Sequence, residues 1–229
     1  MLKAQKKIPK REMKQDPLIT WYFEAQQWFE SRKKLLSYIG LAVVAVIAGG
    51  WIYMNNRTQA EQNASAALGK VMRYYDLGQY ELAINGIPQE NIRGLQSIVD
   101  EYDGTASAEQ SQFYLANAYY NLRQYDKALE QFAGADLDDA MFVASVRAGQ
   151  GACYEALGQY AEAGSSFEEA SNISSDELLT PEYLYDAGRN FIKSGDRTRA
   201  ESLLTKLKKD HPMSVYAREV DKLLAELNT

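Results

Sequence analysis

The chain has 229 residues, 46% of them hydrophobic, with one Cys and one His. That is enough apolar sequence for a sizeable core, and too little cysteine or histidine for a disulfide framework or a zinc site. The net charge of −6 conceals an asymmetry: nine basic against four acidic residues up to Lys34 give a local +5, which leaves −11 for the remainder and argues against nucleic-acid binding.

Residues 1–15 are basic and polar without apolar periodicity, and read as a disordered tail. Asp16-Pro17 then offers an N-cap and a first helical proline. Leu18, Trp21, Tyr22, Ala25, Trp28 and Phe29 follow at helical spacing. Residues 16–34 are thus expected to form an amphipathic juxtamembrane helix, which lies on a membrane surface, docks on a partner, or simply leads into the next segment. Leu35 to Met54 is a run of twenty residues without a charge. As a helix it would cross a hydrocarbon core of about 30 Å. Tyr38, Trp51 and Tyr53 sit near its ends, where interfacial aromatics belong. Arg32, Lys33 and Lys34 on one side outweigh Arg57 on the other, so the positive-inside rule places residues 1–34 in the cytoplasm and exports residues 55–229. Ala48-Gly49-Gly50 also offers a weak signal-peptidase site, but the basic leader and full spanning length favour a signal anchor.

Between Trp51 and Leu68 there is no Gly or Pro, so the same helix is expected to continue to about Asp76-Leu77-Gly78. Tyr74, Tyr80 and Ala83 echo the pattern of the repeats that follow, with a second helix after the turn. Gly86 and Pro88 interrupt it, and it is expected to resume over Ile92 to Tyr102. A repeated phrase follows. Tyr119, Ala128, Phe132 and Ala135 return 35 residues later as Tyr154, Ala163, Phe167 and Ala170, and again 37 residues on as Phe191, Ala200, Leu204 and Leu207. Each copy holds an aromatic, a short turn (Leu122 to Tyr125, Leu157 to Tyr160, Lys193 to Arg197), and then a small and a large apolar residue at helical spacing. This describes two antiparallel helices that cross closely at the alanine, stacked on neighbours that cover their apolar faces. Thr180-Pro181 opens the last copy, Pro212 closes it, and Ser214 is placed to cap a final sealing helix to Leu227. The predicted fold is all-α, a solenoid of helical hairpins preceded by a single transmembrane helix.

Catalytic chemistry is poorly supported. His211 precedes Pro212 at a helix end, and Cys153 lies beside Tyr154 within a packing helix, where it reads as a small core residue. Asp136, Asp138 and Asp139 lack the alternation and glycine of a calcium loop and read as solvated charges. No phosphate loop appears, so neither a cofactor, a metal nor a small-molecule substrate is expected, and the chain reads as a binding protein rather than an enzyme.

The repeats resemble the tetratricopeptide repeat: Leu115, Ala116, Tyr119, Ala128, Phe132 and Ala135; then Gly151, Tyr154, Ala163, Phe167 and Ala170; then Leu184, Gly188, Phe191, Ala200, Leu204, Leu207 and Pro212. Gln112, Arg147 and Gln150 depart from that pattern, and the first two copies lack a closing proline. The resemblance implies that the first helix of each pair lines a concave, partner-binding surface. By alignment this surface presents Leu68, Met72 and Tyr75, then Phe113, Asn117, Tyr120 and Asn121, then Ala148, Ala152 and Glu155, then Tyr185, Arg189 and Lys193. It is expected to be aromatic at one end and basic at the other, although several of these aromatics could instead pack between repeats. The whole layout, with KREMKQDPLITWYF, GLQSIVDEYDGTASAEQ and LLTPEYLYDAGRNFIKSGD, resembles the bacterial inner-membrane repeat proteins related to the ancillary subunit of the Sec translocon. That resemblance implies a periplasmic, chaperone-like scaffold beside the Sec channel, with exported or unfolded chains and periplasmic chaperones as partners. An envelope-assembly or division scaffold is the alternative, and a regulatory subunit of an enzyme complex a third.

Overall fold

The structure, a computed structural model, describes residues 17–227; the expected tail and the Asp16 cap lie outside the described residues. Two compact units divide the chain between Asn56 and Arg57. The first contains most of helix α1, Pro17–Asp76, which begins at the proline. In it the Arg32 guanidinium lies 5.1 Å from the centre of the Trp28 ring, and Ser31 and Ser37 hydroxyls donate to the Trp28 and Lys34 carbonyls. The apolar run from Leu35 to Met54 lies inside this helix with its large side chains exposed, Val46 by 74%, apart from the half-buried Leu36. Among the described residues, α1 is the one helix long and apolar enough to cross a membrane.

The second unit holds the end of α1 and helices α2 (Tyr80–Asn85), α3 (Leu95–Glu101), α4 (Ala106–Asn121), α5 (Tyr125–Gly134), α6 (Ala140–Ala156), α7 (Tyr160–Ile173), α8 (Leu179–Ser194), α9 (Arg197–Asp210) and α10 (Ala217–Leu227). They form an all-α solenoid in which α4/α5, α6/α7 and α8/α9 are successive hairpins. The end of α1 with α2 and α3 makes an irregular first layer, closed around Ala64, Val71, Ala83, Leu95 and Ile98. The expected helix over Ile92 to Tyr102 is corrected here. Strand β1 (Gly86–Ile87) pairs antiparallel with β2 (Ile92–Arg93), and the helix resumes only at Leu95. The cause is local: Pro88 opens a 3-10 turn that ends on Asn91 at φ 55°, a left-handed residue that reverses the chain.

One turn recurs in every layer. Gly78, Arg123, Gly158 and Gly195 all have positive φ, and the residue after each donates its N–H to the carbonyl of the aromatic five residues earlier: Tyr74, Tyr119, Tyr154 and Phe191. This wrap satisfies carbonyls that the ending helix leaves open, and it fixes where the next helix starts. The next helices then bury Ala83, Ala128, Ala163 and Ala200 completely. Phe132, Phe167, Phe191 and Leu204 fill the spaces between helices. Gly149, Gly151, Gly164 and Gly188 face these side chains; a methyl group at Gly188 would stand 2.7 Å from Leu204. Cys153 is fully buried with Phe132 and Val146, as a core residue should be.

The departures at Arg147 and Gln150 are accommodated by polar pairing at the surface. Arg147 bonds Glu169 at 3.3 Å and Gln150 at 3.1 Å, while a cleft of about 340 Å³ opens beside Phe132. Ser214 accepts from the Ala217 amide at 3.1 Å, so it supports α10 from one turn before the helix rather than from its boundary. Thr180 and Pro181 stand in the first turn of α8, as expected, and Asp176 supports that turn from before the helix, its carboxylate accepting from the Leu178 and Leu179 amides.

Candidate functional site

The first helices of the three hairpins share one face, and along it runs a groove of about 680 Å³. Helix α4 contributes Phe113, Asn117 and Tyr120; α6 contributes Ser145, Ala148, Gly149, Ala152, Glu155 and Ala156; α8 contributes Glu182, Tyr183, Asp186 and Arg189. The geometry follows from the repeat. Positions four apart on a helix stack on one face, and the short 35-residue period brings the same face of each first helix into line.

Seven of the thirteen residues expected to line a partner surface therefore meet in this groove: Phe113, Asn117, Tyr120, Ala148, Ala152, Glu155 and Arg189. Leu68 does not. It is 8% exposed and belongs to the first-layer core, because the short helix α2 and the β1/β2 hairpin leave α1 as the only long helix there to fill that core. Met72 and Tyr75 are half-buried against the same cluster, with the Tyr75 ring 5.5 Å from Tyr80 and 5.2 Å from Tyr114. Asn121 is exposed and donates to the Asn117 carbonyl, while Asn117 donates to the Phe113 carbonyl; both amides brace α4. Phe113 divides its surface between the groove and edge-to-face contacts with Tyr114, Phe132 and Phe142. Tyr185 packs on Tyr216 and donates to Glu219, so the last helix covers it.

The expected basic end is overturned. Glu155 accepts a two-pronged bond from Arg189 at 2.6 and 2.8 Å, a bond from Lys193 at 2.9 Å and one from the buried Asn190 amide at 3.1 Å. Arg189 also bonds Asp186 at 2.9 Å, and the Lys193 ammonium stands 5.0 Å from the centre of the Tyr160 ring. The aligned positions carry two cations, but α6 and α8 bring carboxylates against both of them. Paired, planar donors on a carboxylate make the strongest bonds of this kind, and they leave Arg189 little free donor capacity. Burial pushes the Glu155 carboxyl up, but the Lys193 and Asn190 bonds and the Arg189 charge outweigh it and hold the group below its ordinary value. Asp186 goes the other way, raised by burial despite Arg189.

The aspartates read as solvated charges are only partly so: Asp139 caps α6 by accepting from the Met141 and Phe142 amides. Thr105 and Asp196 cap α4 and α9 in the same manner. The Glu155 network was missed because its partners lie 34 to 38 positions away; the one-repeat spacing of Glu155 and Arg189 was the available signal. No group of His, Cys, Asp and Glu among the described residues is arranged to hold a metal ion. Cys153, pushed up to about 12 by burial, is a poor nucleophile as placed.

Comparison with known proteins returns repeat families. Residues 110–134 and 182–214 match one tetratricopeptide-repeat model and residues 144–177 match another, while no curated protein matches the chain. The three matches fall on α4/α5, α6/α7 and α8/α9, so the hairpins that build the groove are tetratricopeptide repeats, units typical of non-catalytic protein-interaction scaffolds.

Proposed function

We propose that this chain is a membrane-anchored scaffold that holds extended protein segments in the groove across α4, α6 and α8. The observation that carries the reading is the groove itself: half-exposed Phe113 and Tyr120, an alanine-rich floor and a polar far wall, all but Phe167 of α7 on first helices of tetratricopeptide repeats. Small floor residues let a polypeptide backbone approach, and aromatic rims grip side chains at little entropic cost. Leu35–Met54 supports the anchor. An apolar helix so exposed is not a core helix, and lipid would remove its surface from water.

The finer reading is a single-pass bacterial inner-membrane protein, residues 1–34 cytoplasmic and the repeats periplasmic, acting in a chaperone-like role beside the Sec channel. The layout of basic leader, apolar run and acidic repeats supports it. Photo-crosslinking from Tyr120 in intact membranes tests both levels. Adducts with exported chains and with the Sec channel are expected. Adducts with envelope-assembly proteins alone would replace the translocon reading, and none from Tyr120 despite adducts elsewhere on the chain would remove the groove. Protease added outside spheroplasts should digest the repeats and spare the leader; digestion only after lysis would reverse the orientation.

A further inference from the structure

Resting on that reading of the groove, the structure assigns its preferred occupant: an extended segment in which apolar side chains are accompanied by a lysine or arginine. The argument is the count and partnering of charges. The groove lining holds three carboxylates, Glu155, Glu182 and Asp186, against one cation, Arg189. Beyond the lining, Lys193 is drawn onto Glu155 and Glu219 is bonded by Tyr185. Both cations are thus committed to Glu155 and Asp186, while among the described residues Glu219 is bonded by the Tyr185 phenol, Glu182 lies by the Tyr216 phenol, and neither is in a salt bridge. A carboxylate bonded by a neutral phenol keeps its full charge and open acceptor sites. Helix α8 itself balances, Glu182 and Asp186 against Arg189 and Lys193, so it is Glu155 of α6 and Glu219 of α10 that leave this end of the groove net negative, opposite an α4 end that is aromatic and uncharged.

The tyrosines agree with this field. Burial raises Tyr120, and after its neighbours Tyr125 and Cys153 the charges of Glu155 and Asp186 add smaller pushes in the same direction. Burial likewise raises Tyr216, with Glu182, Asp186 and Glu219 adding to it. A cationic residue entering from solvent would meet Glu182 without having to break an internal ion pair. An acidic residue would have to take Arg189 from Glu155 and pass the uncompensated carboxylates. Aromatic faces beside them also favour a cation.

The test uses the full chain in detergent micelles and three fluorescent peptides with one apolar and aromatic framework, bearing Lys, Ser or Glu at the same two positions. The lysine peptide should bind about tenfold more tightly than the glutamate peptide, with serine between, and added salt should narrow the spread. Glu182→Gln should shrink the spread, and Glu182→Lys should turn the preference toward the glutamate peptide, a gain that misfolding would not give. Equal affinities, or a preference for the acidic peptide in the parent chain, would overturn the charge selection while leaving the groove reading intact if Tyr120→Ala still weakens binding. Failure of all three peptides to bind would overturn both.

Discussion

Two glycine-to-alanine changes with opposite expected signs test the packing that creates the groove. Gly69 lies in the part of α1 within the second unit, and a Cβ there meets nothing within 4 Å; Gly149 lies in α6, and its Cβ would stand 2.3, 2.7 and 2.8 Å from three atoms of the Phe132 ring. In either helix alanine recovers about 1 kcal/mol of backbone propensity. At Gly149 that gain is opposed. Phe132 is 1% exposed and packs with Ala116, Ala128, Val146 and Cys153, so the ring can yield only toward the cleft beside it, at the loss of those contacts. Overpacking of this kind costs about 1–3 kcal/mol. Gly69→Ala should therefore raise the melting temperature, and Gly149→Ala should melt below it by the whole overpacking term. For a unit of this size that separation is roughly 2–12 °C. Far-UV circular dichroism of the full chain in micelles reads it directly. Equal gains from both substitutions would show that α6 does not approach Phe132 this closely in solution, and the groove floor would have to be redrawn.

Ala163→Leu should lower the melting temperature by a similar overpacking cost of about 1–3 kcal/mol, since Ala163 is fully buried where α7 meets its neighbours; an unchanged melt would count against the repeat alignment. Glu155 is held below its ordinary 4.5, so the unfolded chain takes up its proton first as pH falls, and the stability this group supplies above that value is lost on further acidification. Glu155→Gln should consequently flatten the acid limb of a melting-temperature profile below about pH 4.5, where an unchanged slope would remove Glu155 as its source. Cys153 should resist thiol reagents at neutral pH and react fully once the chain is denatured; rapid labelling of folded protein would contradict its burial.

The hairpins were legible because period and turn chemistry agree. Tyr119, Tyr154 and Phe191 mark the same wrap, and Ala128, Ala163 and Ala200 the same crossing, each set by contacts within one repeat or with the next. The first layer was less legible, because its helix resumption depended on Asn91 adopting a left-handed conformation, which many asparagines do not. In the site, alignment found which face each first helix presents, and Phe113, Asn117, Tyr120, Glu155 and Arg189 do converge. It did not show that the degenerate first layer would bury Leu68, or that α10 would cover Tyr185. Nor did it find the charge balance. A single-sequence reading counts Arg189 and Lys193 as two cations, whereas the neutralising Glu155 comes from the preceding repeat and is matched to them only by stacking.

That pairing also decides what the far wall can recognise. Glu155 and Arg189 are a fifth and a third exposed, respectively, and joined at 2.6 and 2.8 Å. Charge-assisted bonds of this kind contribute about 1.5–3 kcal/mol, less some screening at this exposure. A ligand carboxylate seeking Arg189 would have to replace that bond and strand Glu155 against Asn190 and Lys193, so its own bond to Arg189 would be largely offset. A ligand cation meets no such exchange at Glu182. Selectivity then comes mainly from the lower affinity of acidic segments, and the absolute grip on an apolar, basic segment stays modest. On the proposed reading of a membrane-anchored scaffold, modest affinity would suffice, since confinement raises the local concentration of groove and bound segment without requiring either to hold on for long.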